Sequence, residues 1–216
     1  MKRLYWLGAG VGLLLSVTAQ ADCATSREYA SAVALRGNAA AGAVFFKNCI
    51  ACHGSDGAGA RDGNVPVIAG QWFKVIVKQL VDFRHAERWD IRMERVADRH
   101  HLTTPQAIAD VAKFVSEMPA AFELGQGNGN YLKRGESVYR ARCAACHGLR
   151  GEGREVGIIP RIAVQHQPYL VRQMQDAADG RRPNLSCGHK PLGGGLAYED
   201  FQGVADYLAR LPSRPR

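Results

Sequence analysis

Beyond its first 21 residues the chain has no segment apolar enough to cross a bilayer, which takes ~20 consecutive apolar residues in a helix. No segment alternates apolar and polar residues between hairpin turns, so a sheet fold is not expected. No basic tract is interleaved with aromatics. The basic residues are scattered and aromatics make up only 8% of the chain, so a nucleic-acid partner is not expected either. Methionine is scarce, 4 in all, and after Cys146 only Met174 remains. Few thioethers are therefore available to a metal in the C-terminal half.

What is present begins with a leader. Lys2 and Arg3 precede the apolar run LYWLGAGVGLLLSV, and Ala19-Gln20-Ala21 forms a small-x-small cleavage site. This is the pattern of an export signal over residues 1–21, too short to remain as a membrane anchor. The mature chain is expected to begin at Asp22, in the oxidising periplasm, with no stable membrane span. Loss of Lys2 and Arg3 lowers the formal net charge from +8 to +6. A modest positive face of this kind can steer an acidic protein partner.

Cysteines number 6, of which Cys49 and Cys52 lie in CIACH, Cys143 and Cys146 in CAACH, and Cys23 and Cys187 stand apart. The two CxxCH motifs are offset by 94 residues, Cys49 to Cys143. The offset persists downstream: Pro66 matches Pro160, Ala69 Ala163, Gln71 Gln165, Gln79 Gln173 and Asp82 Asp176. Near the ends it becomes 93, with Val111 matching Val204, Phe114 Tyr207 and Pro119 Pro212. The chain is thus an internal duplication of a unit of roughly 90 residues. The expected organisation is an N-terminal domain over 22–124, a linker at 125–130 (GQGNGN), and a C-terminal domain over 131–216.

Each copy shows the same helical signals. AAAGAVFFKNC and YLKRGESVYRARC lead into the two motifs. The spacing predicts a middle helix through QWFKVIVKQLVDFR, with Trp72, Ile76, Leu80 and Phe83 on one face, and a partner in PYLVRQMQDAADG. Thr104 followed by Pro105 is a helix start, leading an apolar face of Ile108, Val111, Val115 and Met118. Phe201, Val204, Leu208 and Leu211 repeat that face in the second copy. The expected fold class is all-α, with Gly-rich loops after each CxxCH.

CxxCH is a c-type haem attachment signature. Two thiols three residues apart reach both vinyl groups on one porphyrin edge, and the next residue supplies an imidazole to the iron. His53 and His147 take that role here. A thioredoxin-like CxxC would follow a strand in a βαβ unit. A four-cysteine zinc site would need both CxxC pairs to converge and would leave the histidines unexplained. Two covalent haem c groups are therefore expected. A domain of roughly 90 residues buries a modest core, and a porphyrin adds a large apolar plate to it.

The stretches CIACHG…G.G….P.IAGQ…KQL.DFR and CAACHG..G.G…PRIA.Q…YL..Q resemble the dihaem cytochromes c of the cytochrome c4 type. The resemblance covers Gly42 to Pro212, more loosely after Asp176. It implies a tandem pair of class I cytochrome c domains related by pseudo-twofold symmetry, and electron carriage in the periplasm between redox partners such as a membrane cytochrome complex, an oxidase or a dehydrogenase. It also points to Met93 as the distal ligand of the first iron. Met118 lies on an apolar helix face, and His85, His100 and His101 read as surface residues.

In the second copy three candidates stand: Met174, Cys187 and His189. The repeat maps Met93 to position 187 or 186, while Met174 falls opposite Leu80 on the middle helix. Two spare thiols in an oxidising compartment most simply pair. A Cys23–Cys187 disulfide would leave His189 as the distal ligand of the second iron. Two six-coordinate irons imply an electron carrier. An open iron or a cysteine ligand would instead imply a dihaem oxidoreductase, or the cytochrome subunit of one, of thiosulfate dehydrogenase or peroxidase type.

Overall fold

The structure, a computed structural model, describes residues 27–120, 123–185 and 195–212. The leader, Cys23, Cys187 and His189 lie outside the described residues. Helices in chain order are α1 (Arg27–Ala34), α2 (Ala39–Phe46), α3 (Ile50–His53), α4 (Phe73–Arg84), α5 (Ile91–Val96) and α6 (Pro105–Glu117). Then come α7 (Leu132–Arg142), α8 (Ala144–His147), α9 (Gln167–Ala178), a 3-10 turn (Pro183–Leu185) and α10 (Tyr198–Ala209). Among the described residues the only β pairing is an isolated bridge between Arg154 and Ile159.

The helix starts follow local chemistry. Asn38 Oδ1 accepts from the amides of Ala40 (2.9 Å) and Ala41 (3.1 Å) at the head of α2. Thr104 Oγ1 accepts from Ala107 N at 3.2 Å, and Pro105 follows it at the first position of α6, where its missing N–H costs nothing.

In each unit the helix before the CxxCH crosses the last helix: α2 packs on α6, and α7 on α10. Glycine makes both crossings close. A Cβ on Gly42 would sit 2.0 Å from Asp110 O, and one on Gly135 would sit 2.0 Å from Gly203 O. Beside each crossing an aromatic pair packs at a tilt, Phe46 on Phe114 (5.1 Å) and Tyr139 on Tyr207 (5.6 Å). Full burial of a side chain such as Phe46 contributes about 1.5–3 kcal/mol. These helices match at an offset of 93, Gly42 to Gly135 and Phe46 to Tyr139, although the motifs match at 94. One extra residue precedes Cys143 and lets α7 run up to the motif.

The middle helix departs from its expected face. Its most buried residues are Val75, Val77, Val81 and Phe83, whereas Ile76 and Leu80 are half-buried. α4 is apolar on two sides: Val77 and Val81 enter the core, and Ile76 and Leu80 pack against it while staying partly exposed. On α6 the expected face is buried at Ile108, Val111 and Val115.

The 125–130 segment is tied down. Asp206, 3% exposed on α10, accepts from Gly127 N and Gly129 N at 2.9 Å each, and Arg210 Nη2 donates to Gly127 O at 2.8 Å.

Candidate metal-binding sites

Cys49 and Cys143 are the N-caps of the four-residue helices α3 and α8, which carry the rest of each motif. Both are half-buried, Cys52 and Cys146 are exposed, and all four thiols are free. Burial pushes the Cys49 thiol up to about 11, helped by the nearby Cys52, and pushes Cys143 up as well. Each thiol pair thus opens from the half-buried N-cap toward the surface.

The two histidines are buried, at 5% exposure for His53 and 8% for His147. Burial lowers both imidazole pKa values, with the adjacent carbonyl opposing, so the neutral ring is favoured. His53 Nδ1 lies 3.0 Å from Pro66 O, and His147 Nδ1 lies 3.0 Å from Pro160 O. A carbonyl only accepts, so Nδ1 carries the proton and Nε2 keeps a lone pair for a metal. The loops that deliver these carbonyls need glycine. Gly59 and Gly153 have φ of +69° and +61°, and a Cβ on either would meet the carbonyl of Pro66 or Pro160 at 2.4 Å.

Around each motif, matched apolar side chains stay half-exposed: Ile68 and Ile162, Leu80 and Met174, Phe114 and Tyr207, Met118 and Leu211. A porphyrin plate would cover them, which is the fit expected of haem. Haem supplies a one-electron redox iron when bound. Among the described residues, which include both CxxC pairs, no three His, Cys, Asp or Glu side chains gather into a metal cage.

Met93 is half-buried on α5. Asp90 Oδ1 caps that helix, accepting from Arg92 N (3.0 Å) and Met93 N (3.4 Å). Arg92 Nη2 reaches Asn64 O at 3.4 Å, and Asp90 and Arg92 both act electrostatically on His53. The Arg92–Asn64 contact ties the helix that carries Met93 to the loop between His53 and Pro66. Met174 packs against the second core. His85 is not simply solvated: its Nε2 lies 2.7 Å from a Glu28 carboxylate oxygen.

Residues that sequence reasoning had not placed at a site join the two units across a pseudo-twofold axis. The Gln71 amide pairs with Arg161 N and O at 2.9 Å each. Gln165 pairs with Val67 O at 2.9 Å and Val67 N at 3.0 Å. Trp72 Nε1 donates to Glu152 O at 3.0 Å, and its counterpart His166 donates through Nε2 to Ala58 O at 2.8 Å. Arg88 reaches Gln173 Oε1 at 3.0 Å, and Arg182 reaches Gln79 Oε1 at 3.1 Å. Every one of these pairs is related by the 94-residue offset. The signal was present as matched residues in the repeat, but nothing in a linear repeat says that each reaches into the other copy.

Arg182 also has a buried Nε with no hydrogen-bond partner among the described residues. Burial first, and the Arg88 charge second, push its pKa down to about 9. Arginine stays protonated in proteins, and the nearby Asp82 and Asp176 together with the Gln79 Oε1 contact offset part of the cost of burying this guanidinium.

Duplicated helical units, each presenting a surface-facing thiol pair and a tautomer-fixed buried imidazole, define a c-type cytochrome with tandem domains. The cytochrome c family model matches residues 39–119 and again 132–212. The chain is 29% identical over 195 residues to cytochrome c4 of Azotobacter vinelandii, covering 81% of this chain and 90% of that protein. It is 30% identical to the thiosulfate dehydrogenase electron acceptor of Stutzerimonas stutzeri (strain A1501), covering 98% of this chain and 97% of that one. The crystal structure of reduced recombinant cytochrome c4 from Pseudomonas stutzeri superposes with a TM-score of 0.72 at 25% identity, over 81% of this chain and 99% of that one. The chain belongs to the cytochrome c family, as an all-α, two-domain member of the cytochrome c4 type. Membership implies covalently bound haem c.

Proposed function

We propose that the chain is an exported electron carrier of the periplasm, holding two covalent haem c groups, one in 22–124 and one in 131–216. The observation that carries this reading is the repeated CxxCH whose buried histidine is fixed with Nε2 unprotonated. Cys49, Cys52 and His53 hold the first haem, and Cys143, Cys146 and His147 the second. Met93 is the distal ligand of the first iron, supported by the tie of its helix to the loop that brings the Pro66 carbonyl to His53. His189 is the distal ligand of the second, with Cys187 tied to Cys23. Met174, partly buried against the second core at the position matching Leu80, is left out of the ligand set.

Such a carrier meets its partners through small, short-lived interfaces, here a membrane cytochrome complex, an oxidase or a dehydrogenase of the respiratory chain. One relative matched over nearly the full length of both chains is named as the electron acceptor of thiosulfate dehydrogenase. A thiosulfate-oxidising dehydrogenase is therefore the first donor to test. The decisive experiment is absorption and magnetic resonance spectroscopy of the purified holoprotein, with and without carbon monoxide. Two low-spin haems per chain with little carbon monoxide binding are expected, and one becomes high-spin in His189→Ala. A high-spin fraction in the unaltered protein, or ready carbon monoxide binding, overturns the carrier reading in favour of an oxidoreductase.

A further inference from the structure

Helix α1 lies against α4 and α6, with Tyr29 and Ala32 buried in the first core. Its one acidic residue, Glu28, is turned inward, with its side chain only 9% exposed. Glu28 forms an ion pair with Arg84 at the end of α4, whose side chain is 4% exposed. His85 Nε2 and Arg99 Nη2 complete its surroundings, at 2.7 and 3.7 Å.

The rest of the Arg84 guanidinium faces the chain that follows Met93. Nε donates to Ala97 O at 2.7 Å, and Nη2 donates to Leu102 O at 2.5 Å and Asp98 O at 3.4 Å. Ala97 caps α5 and donates its own N–H to Met93 O at 2.8 Å. Ala97 and Leu102 are buried, at 0% and 4% exposure. An unbroken line of hydrogen bonds thus runs from α1 through Glu28, Arg84 and Ala97 to the backbone of Met93. The second unit has no such line among the described residues, because the position matching Arg84 is Ala178.

We propose that Glu28 and Arg84 are positioning residues for the distal ligand of the first haem. α1 holds Arg84 against the carbonyls of 97, 98 and 102, and this pins the Met93 segment on the iron. The proposal rests on Met93 being that ligand. A planar, always-charged fork suits the task, since it binds a carboxylate on one side and several carbonyls on the other. Lysine at the same place keeps the charge but cannot hold both sides. The device acts on one haem only, which makes the two irons unequal in how firmly they keep their distal ligands.

The test uses the ferric holoprotein with both haems in place, comparing Glu28→Gln and Arg84→Lys with the unaltered chain. Hydrogen exchange of the 93–102 amides, the thioether-to-ferric-iron absorption band, and the rate of imidazole capture are read together. Loss of a buried charged hydrogen bond predicts roughly tenfold faster exchange in that segment or more. Imidazole capture should also quicken about tenfold at one haem and stay unchanged at the other. Unchanged exchange overturns the proposal, as does faster exchange with an unaltered absorption band and capture rate. Equal loosening of both haems also overturns it, because it signals general destabilisation. Met93→Leu separates the underlying reading: if the thioether band survives in that variant, Met93 is not the ligand. If a variant fails to fold with haem, Arg99→Gln, which relieves only the outer contact to Glu28, is read by the same measurements and should give a smaller change of the same sign.

Discussion

Asp200 answers to several donors at once. Arg134 grips it through Nε (2.6 Å) and Nη2 (3.0 Å), and Ala197 N donates to it at 2.8 Å. Its side chain is 7% exposed. Arg134 above all, against the opposing effect of burial, holds its carboxyl below the usual carboxylate range, with the Ala197 amide and the Arg142 charge assisting. Because the folded-state value is lowered, the stabilisation is present above the ordinary carboxylate value of ~3.9 and is lost as pH falls through the folded value. Asp200→Asn should therefore cost about 1–2 kcal/mol at neutral pH. It should also flatten the fall in stability below pH ~5. Denaturant unfolding followed at several pH values checks both.

At the scale of the helices, the α7–α10 crossing is as narrow as the backbone allows. Gly135→Ala places a methyl 2.0 Å from the Gly203 carbonyl, which backbone cannot yield to as a flexible side chain would. A loss of about 1–3 kcal/mol or more is expected, read as a lowered melting temperature of the holoprotein with both haems still attached. How much of the element pattern was legible varies with its cause. α6 was readable because Thr104, Pro105 and the Ile108–Val111–Val115 spacing are local signals. On α4 the valines are more buried than Ile76 and Leu80, because a helix apolar on two sides leaves periodicity no single face to mark. α1 and α5 were not foreseen: both are short, α1 is held by the Glu28–Arg84 ion pair, which has no signature in the sequence, and the Asp90 cap of α5 is a local signal that went unread. The CxxCH sites were legible as chemistry, whereas the Pro66 and Pro160 carbonyls that set the imidazole tautomer were visible only as matched prolines.

Across the whole molecule, the 94-residue offset was readable, but the reciprocal contacts it produces were not. Each glutamine amide makes a matched pair of hydrogen bonds to the other unit's backbone, and each bond contributes about 1 kcal/mol net. Gln71→Ala with Gln165→Ala should remove about 4 kcal/mol of coupling between the units. The expected result is a split of one cooperative unfolding transition into two, followed through haem absorption and helical circular dichroism. A single sharp transition in the double variant would mean that the arginine and linker contacts suffice.

The reciprocity gives the seam the character of a twofold interface held inside one chain. A surface on which residue i meets j while j meets i is what a closed homodimer presents. Gln71 with Gln165 and Arg88 with Arg182 still obey that rule letter for letter. Trp72 and His166 obey it only in geometry, each sending a ring N–H to the carbonyl at the same place in the other unit. Within one polypeptide that self-complementarity is not compulsory, so a substitution on one side of the seam leaves the other side's residue as it was.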